Sequence, residues 1–514
     1  MRPIKTLLFI LSVFALLAGS MLITPGEGVK IGEFTFHMPT FSEMLMLDDV
    51  EYADVSGIIN QQFEIDSLVD FSLDTIAGDT VLEVIHRADY DSLIQSVLHI
   101  EMNDSGRQNL AKFFYHLKHD SLTRIMHYGD SQIEGDRITS FVRNKLQMRF
   151  GGTGVGLRPA LQPYDYVFSA VQENTGDWKR YPIYGKVDSM VEHSNYGVMG
   201  AFSRYAPLAS DTLPFTDSVL YEAEMYVAKS NISYKKTREY ENMRLFYGHT
   251  KRPVSIQVIA RGDTVLVDTL LPDLDYGVVE CELPDSTSSV SVRFKGYDSP
   301  DIYGIELASD KGVIVDNIAL RGSSGTIFTR ADYLHSLKMY NDLHPSLFIL
   351  QFGGNVIPYI TDNKAIERYG RWFASQINRI KQLCPEAAIL VIGPSDMSTK
   401  EKDKFVTYKH LPKVVETLKK VTLAAGCGYW DMYQAMGGYN SMPSWVNAQP
   451  ELARPDYVHF SPKGARLVAN MFYNALILEY NNYLEADREE KAEEKKQNTE
   501  ASSKESSPLK KGDS

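Results

Sequence analysis

Apolar residues recur with two different rhythms along this chain, and the change of rhythm divides it. Over 105–119, Leu110, Phe113, Phe114 and Leu117 fall at the three- and four-residue spacing of one helix face. TRIMHY (123–128) then predicts a strand ending at Gly129. Residues 136–149 predict a helix with Ile138, Phe141, Val142 and Leu146 turned inward and Asp136 as a candidate cap. GGTGVG (151–156) reads as a turn. It lacks the Gly-Lys-Ser/Thr ending of a phosphate loop and follows a helix rather than a strand.

Between 166 and 315 the pattern becomes short, β-rich and partly alternating, as in SVLYEAEMYVA, VSIQVIA, DTVLVDTLL and SVSVRFKG. Turn residues separate the segments, as in ARGDTV and ELPDSTSS. Strands repeated this way predict a β-sandwich or jelly roll. After 315 the longer rhythm returns. Strands are expected at 314–320, 346–352, 387–393 and 428–433, and helices at 365–383, over 403–425 around a kink at Pro412, and from Ser461-Pro462 to about Tyr480. The fold class is therefore α/β: a parallel sheet sandwiched by helices and interrupted by a β domain.

The two ends differ from the body. Arg2 and Lys5 precede an apolar run from Leu7 to Ile23, a charged segment followed by a hydrophobic one. Residues 1–24 predict export, as a signal peptide cut near Ala18-Gly19-Ser20 or as an anchor formed by residues 7–23; both readings stand. The remainder would then be periplasmic or on the outer face of the membrane. Residues 25–120 are read as an N-terminal arm and helix. From Glu485 the chain turns to mixed charge without apolar period, so 485–514 is expected to be a disordered, charged tail.

Length and composition narrow the function. At 514 residues the chain is long enough for two or three folded units. A formal net charge of -13 argues against nucleic acid as a partner. Cys281, Cys384 and Cys427 make no zinc spacing and no disulfide framework, and neither a metal nor a cofactor is implied.

Three distant places carry candidate chemistry. Gly129-Asp130-Ser131-Gln132 ends a strand, which puts Ser131 at the carboxyl edge of a parallel sheet, where α/β proteins hold their ligands. Gly353-Gly354-Asn355 follows another buried strand. Asn355 could offer its amide to developing negative charge, and Gly322, after a third strand, a backbone N–H. Asp456-Tyr457-Val458-His459 precedes the capped helix. A histidine can take a serine proton, and an aspartate three residues earlier can hold its tautomer.

The order GDS, glycine, GxN, DxxH resembles the SGNH hydrolases, also called the GDSL family. The resemblance implies a three-layer α/β/α domain over 121–165 and 316–484, interrupted by the inserted β-sandwich of 166–315. It implies Ser131, Asp456 and His459 as catalytic residues, with Ser131, Gly322 and Asn355 forming an oxyanion hole. GDSQ replaces GDSL at a position expected to touch no catalytic group. More narrowly, RIMHYGDSQIEGDRITSFVRNKLQMRFGGTGVG resembles the opening of peptidoglycan O-acetylesterases. This implies an extracytoplasmic serine esterase acting on an acylated cell-envelope glycan. Transfer of the acyl group to a polysaccharide hydroxyl, fed by a membrane acyl-transfer partner, is the alternative. A glycan-binding protein without catalysis is the second.

Overall fold

The computed structural model describes residues 3–23, 29–31, 34–36, 50–58, 97–208, 219–272 and 274–505. Five parallel strands form the central sheet: β1 (Leu122–Gly129), β2 (Gly312–Ala319), β3 (Pro345–Gln351), β4 (Ala388–Ile392) and β5 (Gly428–Trp430), in the order β2-β1-β3-β4-β5. Because successive side chains of a strand point to opposite faces, each strand feeds two cores. Ile125, Leu347, Ile349 and Leu390 face one side. Met126, Tyr128, Phe348, Leu350 and Val391 face the other.

Helices cover both faces. On the first lie α2 (Asp104–His119), α3 (Thr139–Phe150) and α7 (Pro462–Glu505), through residues such as Phe113, Val142 and Phe472. On the second lie α4 (Tyr333–Leu343), α5 (Asn363–Leu383) and α6 (Leu411–Ala424), through Met339, Phe373, Ile377 and Leu418. This is the three-layer α/β/α arrangement expected from the sequence.

The interruption between β1 and β2 is an antiparallel sandwich. A five-stranded sheet runs 263–270, 254–260, 289–296, 221–229, 170–175. A six-stranded sheet contains 277–282, 242–248, 301–308, 201–204 and 179–182, with 154–158 also pairing 301–308. Met225, Val227, Ile256, Val258, Leu245 and Ile305 fill the space between the sheets. The antiparallel pairing begins at Gly154 and ends at Ala308, and the parallel sheet resumes at Gly312, so both edges lie before the 166 and 315 read from the sequence.

A buried ionic knot fastens the sandwich to the sheet. Arg124 of β1 donates from Nη1 to Asp316 of β2 at 2.9 Å and from Nη2 to Glu306 of the sandwich, and Leu157 N–H donates to Asp316 at 2.7 Å.

Several elements depart from expectation. The GGTGVG stretch is only partly a turn, for 154–158 is a strand. A side chain at Gly154 would strike the backbone of Leu307 and Ala308, so glycine there permits the close pairing. Residues 404–407 form a hairpin with 398–401, and Pro412 sits in the first turn of α6, where its missing N–H costs nothing, so there is no kink. Strand β5 stops at Trp430 because Asp431 caps a short helix, accepting from Gln434 N–H at 3.0 Å. Helix α7 runs on to Glu505, well past Tyr480. Lys118 and Lys491 both pair with Asp487 there, the second at helical spacing.

Parts of the N-terminal arm lie on the body. Ala53 N–H donates to Asn440 O at 3.3 Å, and Glu101 bridges Tyr429 at the β5 edge. The rest of that arm and the last nine residues of the tail lie outside the described residues. The N-terminal apolar run is helix α1 (Pro3–Ile23), whose Leu7, Phe9, Phe14 and Leu16 are exposed. Among the described residues no helix is long and apolar enough to cross a membrane.

Candidate active site

The carboxyl ends of β1, β2 and β3 meet at one edge of the sheet, where the chain passes from β1 to β2 on one side and then from β2 across β1 to β3 on the other. Gly129 closes β1 against its neighbours: a side chain there would lie 2.9 Å from Ile133 and 3.1 Å from Gln351 O. The following turn lifts Ser131 to a half-buried position.

Beside it stands His459. Its Nε2 lies 2.9 Å from Ser131 Oγ and its Nδ1 2.9 Å from Asp456 Oδ2. Asp456 also accepts the backbone N–H groups of Val458 and His459 through Oδ1, at 3.0 and 2.9 Å. Burial pushes the Asp456 carboxyl up, but these N–H groups and the imidazole outweigh it and hold the acid below the usual carboxylate range. An ionised Asp456 fixes a proton on Nδ1 and leaves Nε2 free to accept one from serine.

The loop carrying His459 is held in an uncommon shape. Tyr457 takes a left-handed backbone (φ 57°), and its ring stacks on Phe405 of the 398–407 hairpin at 3.6 Å between centroids. Ser398 N–H donates to Tyr457 O at 3.0 Å. The hairpin absent from the sequence reading is thus a brace for the base.

Asn355 lies between the other two loops. Its Nδ2 donates to Asp130 Oδ2 at 3.3 Å and to Ser323 O at 3.1 Å, so one amide ties the serine turn to the glycine loop. An ester oxygen polarised by Asn355 would have to share or displace one of these acceptors. Asp130 is buried, and burial pushes its carboxyl up to about 6, against the pull of the Gln132 N–H and the His459 imidazole.

Gly322 occupies the third position of a turn closed by Ser323 N–H on Leu320 O at 2.9 Å. Its φ of 78° is one that glycine adopts without strain. Its N–H has no partner among the described residues. Gly325, the neighbouring glycine, is placed differently. Its N–H donates to Ser323 Oγ at 3.2 Å, and a side chain there would strike the Phe352 ring.

All five residues singled out in the sequence therefore gather around one sheet edge. Two supporting residues were missed. Gln132, expected to touch no catalytic group, touches none directly but donates from Nε2 to Val458 O at 2.7 Å and to Ser395 Oγ at 3.2 Å, and so clamps the residue before His459 to the serine turn. Asp130 orients Asn355. Nothing in the GDSQ tetrapeptide marks either role, because the partners lie far away in sequence. Asp136 is not the helix cap it was expected to be: α3 starts at Thr139, and Asp136 instead pairs with buried Arg143 at 2.6 Å.

No cluster of histidine, cysteine, aspartate or glutamate suited to a metal ion occurs among the described residues.

No family model and no curated protein matches this chain. Among solved structures it is similar to a peptidoglycan O-acetylesterase, at 20% identity and a TM-score of 0.56, over 74% of this chain and 99% of that one. An acetylxylan esterase from Geobacillus stearothermophilus overlaps 32% of this chain and 73% of its own length at 17% identity, with a TM-score of 0.25. A family two carbohydrate esterase from Clostridium thermocellum overlaps 49% and 90% at 9% identity, with a TM-score of 0.21. The last two overlaps are too slight to bear on the argument. The first shows that this chain has the fold of that esterase over the matched 74% of its length.

Proposed function

We propose that this chain is an extracytoplasmic serine ester hydrolase that removes O-acetyl groups from a cell-envelope glycan through an acyl-serine intermediate. The observation that carries the reading is the unbroken relay from Ser131 Oγ to His459 Nε2 and from His459 Nδ1 to Asp456.

In the first half-reaction Ser131 Oγ attacks the ester carbonyl carbon while His459 Nε2 takes the hydroxyl proton. Negative charge gathers on the carbonyl oxygen. The N–H groups of Ser131 and Gly322 and the Asn355 amide are the donors proposed to meet it. The tetrahedral adduct collapses, the C–O bond to the sugar breaks, and His459 returns the proton to the leaving hydroxyl. Water then attacks the acyl-serine by the same route and acetate leaves. Asp456 stays ionised throughout and stabilises the imidazolium. The free N–H of Gly322, against the engaged N–H of Gly325, supports Gly322 as the glycine donor.

The likeness in fold to a peptidoglycan O-acetylesterase supports an acetylated glycan as substrate. Export, with attachment to the membrane through residues 7–23, is part of the proposal. Its support is α1, whose apolar side chains are exposed instead of being packed on the body. Such an attachment also favours a second reading, in which the acyl-serine receives its acyl group from a membrane partner and passes it to a polysaccharide hydroxyl.

Acetate release from purified, O-acetylated envelope polysaccharide tests the first reading. Ser131→Ala is expected to reduce turnover roughly 10⁴-fold or more; full activity in that variant would end the proposal. Following acetyl label into free acetate against an added glycan acceptor separates hydrolysis from transfer.

A further inference from the structure

Each of the three loops that carry the nucleophile, the glycine and the base also carries an arginine. Arg137 follows the serine turn, Arg321 immediately precedes Gly322, and Arg454 donates its N–H to His459 O at 2.8 Å. Arg321 and Arg454 are exposed. The acids at hand do not match them. Glu134 is forked to Arg321, accepting from Nε at 2.6 Å and from Nη2, and lies 3.9 Å from Arg137 Nη2, so Arg137 faces a carboxylate already engaged. Asp456 is committed to His459. Arg454 has no side-chain partner among the described residues, and Nη1 of Arg137 is buried without one.

The three guanidiniums act on one patch. Burial pulls Arg137 below its usual basicity and Glu134 and Asp456 oppose this, while Arg454 and Arg321 add repulsion. Like charges gathered around a reaction centre, in a chain with net charge -13, need a counterion. In the resting molecule Glu134 and Asp456 set two negative charges against the three guanidiniums.

Resting on the esterase reading above, we infer that Arg137, Arg321 and Arg454 form a carboxylate subsite at the mouth of the site, so that the ester cleaved is carried by an acidic sugar. Guanidinium forks match a planar carboxylate in two-point contact. The subsite would fix which hydroxyl of the sugar presents its acetyl group to Ser131, since anchoring a group beside the ester orients the carbonyl.

The test pairs an oligogalacturonide with the same oligomer after its carboxyl groups have been reduced to alcohols. Calorimetry on the full chain carrying Ser131→Ala measures binding of each, and acetate release from their O-acetylated forms is followed with Ser131 intact. The acid form is expected to bind at least about tenfold more tightly at low salt. This preference should shrink as salt rises. Arg454→Gln should remove most of it, and Arg454→Lys should restore part. Equal binding of the two oligomers, or a preference untouched by Arg454→Gln and Arg137→Gln, would overturn the inference. Stronger competition by glucose 1-phosphate than by galacturonate would overturn the carboxylate assignment. Selective binding of the acid form without any acetate release would leave the subsite standing and defeat the esterase reading instead.

Discussion

At the scale of single residues, the site depends on side chains that never touch a substrate. Gln132 spans from the serine turn to Val458 O and Ser395, and thereby sets where His459 begins. Replacing it with leucine keeps the volume and leaves Val458 O without its donor. Gln132→Leu is expected to lower kcat about threefold to tenfold with little change in KM, the cost of one misplaced hydrogen bond felt through the base. Steady-state kinetics on an aryl acetate checks this, and an unchanged kcat would mean that the Phe405–Tyr457 stack alone holds the loop. The positions that the structure brings together were legible in the sequence because few residue types suit the proposed chemistry: a serine at a strand end, an asparagine after Gly-Gly, a histidine three residues after an aspartate. Gln132 and Asp130 were not, because their partners lie 326 and 225 residues away and a hydrogen bond leaves no periodic trace.

At the scale of elements, the same contrast holds. Strands β3 and β4 are continuous apolar runs buried on both faces, and the amphipathic helix α5 shows its face at every turn, so all three were read nearly to their ends. The second strand of the 398–407 hairpin, Lys404–Thr407, was read as the start of the next helix because four residues are too few to show a strand period, and its reason for being a hairpin is the Tyr457 ring it supports. Helix α7 has its own tight seam. Ser461 caps it, with Gly464 N–H donating to Ser461 Oγ at 3.1 Å. A side chain on Gly464 would lie 1.8 Å from Leu452 O, in the segment that leads to Asp456. Gly464→Ala must therefore push α7 away from the base loop. A loss of about 1–3 kcal/mol is expected, as for other overpacked contacts, although alanine is the better helix former. Urea unfolding measures it, and a gain in stability would contradict the contact.

At the scale of the whole molecule, two cores share one ionic knot. Arg124, Asp316 and Glu306 are all buried, and they join the parallel sheet to the sandwich. Removing the cation alone leaves two carboxylates in a dry seam. Arg124→Met is expected to destabilise the fold by about 3–5 kcal/mol. Adding Asp316→Asn and Glu306→Gln to that variant should recover part of the loss, because it removes the charges left stranded. Thermal unfolding of the single and triple variants checks both statements; equal melting temperatures for the two would show that the knot's charge is not what matters. The division into two folded bodies was visible in the change of rhythm along the chain. Its edges, read at 166 and 315, lie at 154 and 308; the first was missed because a pairing strand made of GVGLR reads as a glycine turn.

The relay that defines the site joins residues 328 positions apart. During synthesis the serine is made with the first strand of the sheet, and the histidine only after the sandwich and the other four strands have been completed. Closing so long a loop makes this contact among the last to form. Until then the Ser131 hydroxyl has no base and is as unreactive as any other alcohol. On the proposed mechanism the chain arms itself only on completion: a fragment released before residue 459 is made carries a serine without its base.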